Sequence, residues 1–399
     1  MIMTAAGDQN NLYGVLCLPE GHAGSETAAR SVESQVAEWE GSLSLPTSSS
    51  EVRVVASVPD GWFRDHHGAE RRERMVSAAR RGRFTVVDVV PTSATVAAAW
   101  ASASAVMEGL ELVVLLLGHR EVETSVWRWE GTGLHPVERL WHEVLGGMDL
   151  LARIQRLLNN RGVRTERDQL AHLLDAGTQR LEVARLAARR NPAFQATPVI
   201  GESGRPEEQW LSARELDREI DAVAADLIRA VAVGAEVTSP VVLLDDGRMH
   251  SMILARVRER LKDRIEILPL QAAQQGAVLV SSQAVRVEVP RVDELGIVVH
   301  RVVAGQLVQE VVWVREVGTA AAALTRAGKP LVLQGHATAQ LVFAGAGEAA
   351  GEIPQRLQVS CGYQVSAWPG WTGVTVVFRP VHGGEPVLVE ARSKVRRTA

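Results

Sequence analysis

From Val52 onward, short apolar runs alternate with segments of helix length, and this alternation restricts the chain to sheets layered with helices. Val52 to Val58 reads as a strand stopped by Pro59, and Arg64 to Gly82 as a charged helix with a glycine at its capping position. Thr85 to Val90 is the next strand, stopped by Pro91, and Ser93 to Met107 is a helix of small residues able to pack closely. Leu112 to Leu117 and Val122 to Trp129 pair as a predicted hairpin, with a further strand over Val137 to Trp141. Helical periodicity then dominates from Asp149 to Arg190. Strands over Thr197 to Ile200, Val241 to Leu244 and Ile265 to Leu268 alternate with helices over Ser212 to Val233, Met249 to Lys262 and Ala272 to Ala277. The first of these helices opens on the capping box Ser212-x-x-Glu215. Upstream, Leu12 to Leu18 is predicted as a strand and Ser25 to Leu43 as an amphipathic helix.

Near Leu279 the period changes. Val285-x-Val287-x-Val289, Val308 to Val314, Gln340 to Phe343, Gln358-x-Ser360 and Val374 to Phe378 are short alternating strands, and only Thr319 to Arg326 is predicted helical. The pattern predicts a compact β domain, a sandwich or open barrel, after a short polar boundary at 278–284.

A chain of 399 residues with 46% hydrophobic content supports two or three cores. The formal charge of −4, with both signs interspersed, argues against a nucleic-acid stripe or a basic membrane patch. Cys17 and Cys361 form no metal-ligand or redox spacing, so a reducing, cytoplasmic compartment is expected. The start carries no secretory pattern, and no apolar run reaches the ~18 residues of a membrane span.

Individual motifs carry little chemistry. His66-His67 after Asp65 lacks a third ligand, so no metal is assigned. Gly345-x-Gly347-x-x-Ala350 imitates a dinucleotide fingerprint, but Gly351 and Pro354 preclude the helix that must follow, leaving a hairpin turn. No nucleophile elbow or Cys/His pairing is present, and no catalytic residue is assigned. Trp368-Pro369-Gly370-Trp371 is an aromatic turn that packs a core or, if exposed, offers Trp368 and Trp371 to an apolar peptide or partner.

Several motifs recur in a fixed order: Val58-Pro59 with Phe63 and an Arg71-Arg72 helix, then Val90-Pro91-Thr92-Ser93-Ala94, then Leu116-Leu117-Gly118-His119-Arg120-Glu121. They continue as Gly146-Gly147-Met148-Asp149, Glu182, Arg185 and Arg189 on one helix, Asp245-Asp246-Gly247-Arg248-Met249, and Ala272 to Gly276-Ala277. Across roughly residues 26–280 this series resembles the DnaK-type heat-shock chaperones of the actin-like ATPases, with Leu295-Gly296-Ile297 as a local echo in the β domain. The resemblance implies an α/β actin-like ATPase (ribonuclease-H-like) core with an incomplete first lobe, followed by an all-β sandwich domain. Residues 1–25 would be an N-terminal segment, 26–280 the ATPase-like domain (lobe I remnant about 26–110, lobe II about 111–280) and 281–399 a β-sandwich substrate-binding-like domain. It places nucleotide contacts at Gly118, His119, Gly146, Gly147, Glu182, Arg185, Arg189, Gly247 and Arg248, with ATP and Mg²⁺ as cofactors.

The departures from that pattern are chemical. Phosphate sites of this class need glycine, so that backbone N–H groups come close to the anion, and carboxylates that hold magnesium. Leu116 stands where the family has the carboxylate, His119 and Arg120 put side chains where backbone should approach, and Val90 replaces a further acid. Asp245 and Asp246 bring negative charge toward a phosphate, which costs on the order of a few kcal/mol at low dielectric. Nothing in residues 1–25 supplies the family's phosphate-clamping hairpin, and the family's helical lid is not expected after the β domain. The expected function is a chaperone-related, polypeptide- or partner-binding pseudo-ATPase that uses neither ATP nor Mg²⁺ efficiently. Two alternatives stand beside it: an ATP-dependent chaperone whose missing phosphate loops are supplied otherwise, and a structural subunit of a larger assembly.

Overall fold

The computed structural model describes residues 13–17, 52–64, 66–81, 84–104, 106–118, 121–161, 168, 170–171, 196–200, 206–234, 238–245, 247, 249–288, 295–317, 320–323, 332–333, 340–343, 349–352, 362–371 and 373–392. The chain divides into two compact units, one of residues 1–104, 130–135 and 273–399, the other of residues 105–129 and 136–272.

In the first unit, β1 (Tyr13–Cys17), β2 (Val52–Val58) and β3 (Phe84–Pro91) form a parallel sheet in that order. β2 passes through a 3₁₀ turn, Asp60–Phe63, into α1 (His66–Arg81), and β3 leads directly into α2 (Thr92–Ala103). Pro91 marks the second transition. It has no N–H to lose, so it ends the strand without leaving a donor unpaired and sits at the N-cap of α2 in extended geometry. Helix α2 is small and apolar on every side and is buried from Thr92 to Ala99, as expected of a helix without a polar face. Its neighbour α6 (Gln271–Ser281) brings Gly276 so close that a Cβ there would lie 1.7 Å from the carbonyl oxygen of Thr95. Only glycine fits that contact.

The mixed sheet has six strands in the order β10 (Ile265–Pro269), β9 (Val241–Asp245), β4 (Glu111–Leu117), β5 (Glu121–Glu130), β6 (Gly133–Glu143) and β11 (Arg286–Val287). β4 and β5 are antiparallel, while β9 and β10 run parallel to β4. The two-residue turn at Gly131, φ +60°, reverses the chain again, so β6 runs in the direction of β4. β4 is buried from Leu112 to Leu117 because both of its faces are covered, and it therefore reads as an unbroken apolar run. Val113, Leu115 and Leu117 pack with Ile154 of α3 (Leu150–Asn159), Leu227 of α4 (Ala213–Gly234) and Ile253 of α5 (Ser251–Leu261). β7 (Ala196–Ile200) and β8 (Pro206–Ser212) make a separate small antiparallel sheet.

The remaining strands belong to the first unit and join edge to edge as β17-β16-β12-β13-β14-β18-β19-β20, where β16 is Gln340–Phe343, with β15 (Val332–Leu333) beside β18. β13 (Gln306–Val317) pairs with β12 (Leu295–Val303) through Trp313 and then with β14 (Ala320–Ala323) from Val314 onward, so one long strand carries the chain from one half of the sheet to the other. Leu295, Ile297 and Val312 on one side share a core with Val365, Val376 and Phe378 from β18 (Tyr363–Pro369) and β19 (Gly373–Pro380). The outermost strands β17 (Ala349–Glu352) and β20 (Val387–Arg392) also touch, so the sheet curls around that core.

Three local expectations change. Thr319 to Arg326 was expected to be helical, but Ala320 to Ala323 is strand β14, because hydrogen bonding to β13 and β18 overrides the helix preference of alanine. The helix predicted over Ser93 to Met107 stops at Ala103, where Ser104 turns extended. Arg286 and Val287 pair with the start of β6 instead of with the later strands. The strand β8 had no counterpart in the sequence reading. The helix expected over Ser25 to Leu43 and the strand at Gln358 to Ser360 lie outside the described residues, as does most of the helical stretch after α3. Among the described residues no helix is long and apolar enough to cross a membrane.

Candidate functional site

Because β4, β6 and β9 point the same way, the segments after them, at Gly118, at Gly146-Gly147 and at Asp245 to Gly247, lie at one end of the mixed sheet. Carboxyl ends of parallel strands are where open α/β sheets bind ligands. The sequence therefore places its predicted nucleotide glycines together, and the hydrogen bonds show what they do there. The N–H of Gly118 donates to the carbonyl of Glu121 at 2.9 Å, closing the β4–β5 turn. The N–H of Gly147 donates to Val144 O at 2.8 Å, and the N–H of Gly247 to Oδ1 of Asp245 at 2.9 Å. All three amides are directed back into their own turns.

The outward-facing groups are carbonyls. Gly146 and Gly147 both take left-handed geometry, φ +84° and +78°, which exposes their oxygens to α3. Arg153 Nη1 donates to the carbonyls of Leu145 and Gly147, the latter at 3.2 Å, and Arg156 Nη2 donates to that of Gly146. Arg153 is held in turn by Glu219, at 2.9 Å. Asp149 caps α3, its carboxylate accepting from Ala152 N at 3.2 Å. The Gly-Gly turn is thus a surface for guanidinium groups, not for an anion. Within β4, Leu116 is buried and faces Glu123 of β5 directly across the hairpin. Glu123 is itself buried, so the hairpin does carry a carboxylate, displaced to the opposite strand.

At the carboxyl end of the parallel sheet in the other unit the closure is made by side chains. Asp60, fully buried, accepts from Ser93 N at 2.8 Å and from Ser93 Oγ, so its carboxylate fills the amino-terminal end of α2. Helix amino termini attract anions through unpaired N–H groups and the helix dipole, and here the protein supplies the anion. Behind it the Ser57 hydroxyl lies 3.2 Å from the hydroxyls of both Thr92 and Thr95, while Thr92 donates to Val58 O at 3.0 Å and Thr95 to Thr92 O at 2.8 Å. Every hydroxyl in the cluster has an internal partner.

The aromatic turn is also engaged. Trp368 is buried, and Trp371 is half-buried with its ring 5.1 Å from that of Phe63. Trp371 donates through its backbone to Phe63 O at 3.1 Å and through Nε1 to Asp60 O at 3.4 Å. The Arg72 guanidinium sits 4.2 Å from the Phe63 ring centre and 5.7 Å from that of Trp368. Burial pushes its pKa down to about 9, and the aromatic faces provide partial compensation. Beside it Arg379 of β19 donates twice to Glu73 of α1, at 3.0 and 2.8 Å. Of the two roles open to this turn, Trp368 takes core packing.

His119, Glu182, Arg185, Arg189 and Arg248 lie outside the described residues, as does Asp246. No group of three or more metal-ligating side chains occurs among the described residues. Gly345 and Gly347, in the segment between β16 and β17, lie outside the described residues. Sequence reading missed Asp60 and Ser57. The only available signal was position: a polar residue directly after a Pro-terminated strand. Compared with models of known protein families and with curated proteins, the sequence matches none.

Proposed function

We propose that this chain is a divergent DnaK-like, chaperone-related protein that binds a polypeptide or protein partner and has lost efficient ATP hydrolysis. An antiparallel hairpin, a third strand and two helix-linked strands parallel to the first support an actin-like (ribonuclease-H-like) core, and the curled antiparallel sheet supports the substrate-binding-like domain. The observation that carries the reading is the orientation of the Gly118, Gly147 and Gly247 amides. A phosphate needs those N–H groups, and each already has an acceptor within its own turn. The arginines that could neutralise a phosphate, Arg153 and Arg156, are engaged with carbonyls. Polypeptide binding would use main-chain pairing along a strand edge, with affinity independent of nucleotide.

The decisive experiment is calorimetric titration of the purified chain with Mg-ATP, alongside peptide affinity measured with and without it. The expected result is no nucleotide heat and an unchanged peptide affinity. A metal-dependent ATPase rate abolished by Glu123→Gln or Asp149→Asn would refute the proposal in favour of a working chaperone. Co-purification with a partner at fixed stoichiometry, without peptide affinity, would favour a structural subunit.

A further inference from the structure

Asp60 is held from two sides. Its carboxylate accepts from Ser93 at the start of α2, and its main-chain carbonyl accepts from the indole N–H of Trp371, 3.4 Å away between β18 and β19. The 3₁₀ turn Asp60–Phe63 thereby joins the parallel sheet to the curled antiparallel sheet through one short piece of backbone. Its far end is fastened to the same residue: Phe63 O accepts from the Trp371 main-chain N–H at 3.1 Å, and the two rings meet at 5.1 Å. The seam continues along α1. Arg72 lies against the rings of both Phe63 and Trp368, Glu73 accepts twice from Arg379 of β19, and α1 also touches β20.

Parts of a chain that swing against each other meet through small, polar surfaces, and an apolar seam suppresses that motion. Here Phe63, Arg72 and Trp368 are buried at the centre of the seam. Lifting the curled sheet away would bring water to both rings and leave Glu73, whose side chain is 12% exposed, without its guanidinium partner. It would also free the turn that carries the Asp60 carboxylate, because Trp371 fixes that turn at both of its ends. We propose that the Asp60–Phe63 turn is a latch: the curled sheet stays docked on α1 without any ligand, and it comes away only together with release of the Asp60 cap from α2. Opening at β18–β19 then spreads to α2 through one hydrogen-bonded element, and the 278–284 segment does not act as a hinge for this sheet. The latch goes beyond polypeptide binding and stands independently of it, since it concerns which parts of the first unit move together.

Residue-resolved hydrogen exchange of the full chain tests this in wild type, Trp371→Ala and Arg379→Gln. The amide to follow is that of Ser93, which donates to the Asp60 carboxylate and so reports release of the cap. In each variant the amides of β18–β19 and that of Ser93 are expected to accelerate by the same factor. That factor is about tenfold in Trp371→Ala, which loses hydrogen bonding and a ring contact, and about threefold in Arg379→Gln, which loses an ion pair. Amides of α4, in the other unit, should keep their wild-type rates. Acceleration confined to β18–β19 with Ser93 unchanged would overturn the latch. So would no acceleration in either variant, or equal acceleration in α4, which would report global unfolding instead. Should Trp371→Ala fail to fold, Arg379→Gln decides by the same outcomes, since it alters a side chain that is 41% exposed.

Discussion

The two sets of parallel strand ends in this molecule are closed in opposite ways. After β2 and β3 the polar groups are satisfied by buried side chains from distant positions: Asp60 reaches Ser93, and Ser57 reaches Thr92 and Thr95. After β4, β6 and β9 the glycine turns satisfy their own amides, and arginines cover the leftover carbonyls near the surface. A sheet edge of this kind normally presents donors to a ligand. Among the described residues both edges are internally complete, but the first is bound into the core and the second is local. The first should therefore be intolerant of substitution and the second permissive.

The largest effect is expected at Asp60. Asp60→Ala leaves the backbone N–H and hydroxyl of Ser93 buried without their acceptor and strips α2 of its cap, for a loss of about 4 kcal/mol by urea denaturation. A loss below about 1 kcal/mol, the size of an ordinary exposed cap, would break the contrast. Arg72→Ala should follow at about 3 kcal/mol, from the void among Phe63 and Trp368 and the lost guanidinium–ring attraction. The pH dependence has a definite sign. With its pKa pushed down to about 9 in the folded chain, Arg72 is disfavoured in its charged form by folding, and this penalty is complete below pH 9. Above it the unfolded chain binds more protons than the folded one, so this group's contribution to stability rises with pH until the arginine of the unfolded chain also titrates. The stability gap between wild type and Arg72→Ala should widen on passing from below to above pH 9, as denaturation on both sides of that value would report. A gap that narrows would contradict the buried guanidinium.

The same contrast explains what the sequence made legible. β2, β3 and their helices could be read because Pro59 and Pro91 punctuate them, and β4 because an unbroken apolar run is the mark of a strand covered on both faces. The glycine turns were legible as turns, but glycine permits either hydrogen-bonding direction, and nothing local tells whether an amide faces outward or inward. Asp60 was illegible for another reason. Its partner Ser93 lies 33 residues away, and only the adjacency of β2 and β3 brings them together. Trp368 and Trp371 could be read as aromatic but not as buried, since the residues that cover them, Phe63 and Arg72, are some 300 positions upstream. β14 was misread because an alanine run has helix preference and its neighbours β13 and β18 decide otherwise.

Within the permissive edge the effects shrink. Gly147→Ala places a side chain at φ +78° and should cost about 1 kcal/mol of left-handed strain, seen as a small fall in the urea midpoint with unchanged slope. Asp245→Ala should cost under about 0.5 kcal/mol, because it removes one exposed hydrogen bond within a turn. That smallest change is also the sharpest, since it separates two reasons for rejecting phosphate. If the cause is amide direction, freeing the N–H of Gly247 leaves Gly118 and Gly147 still turned inward, and Mg-ATP should produce no shift in the variant's unfolding temperature. If the cause is the carboxylate's charge, the variant should gain a Mg-ATP-dependent rise where the wild type has none. A single thermal titration distinguishes them, and the second outcome would mean that the edge is complete only because Asp245 repels what its backbone could still bind.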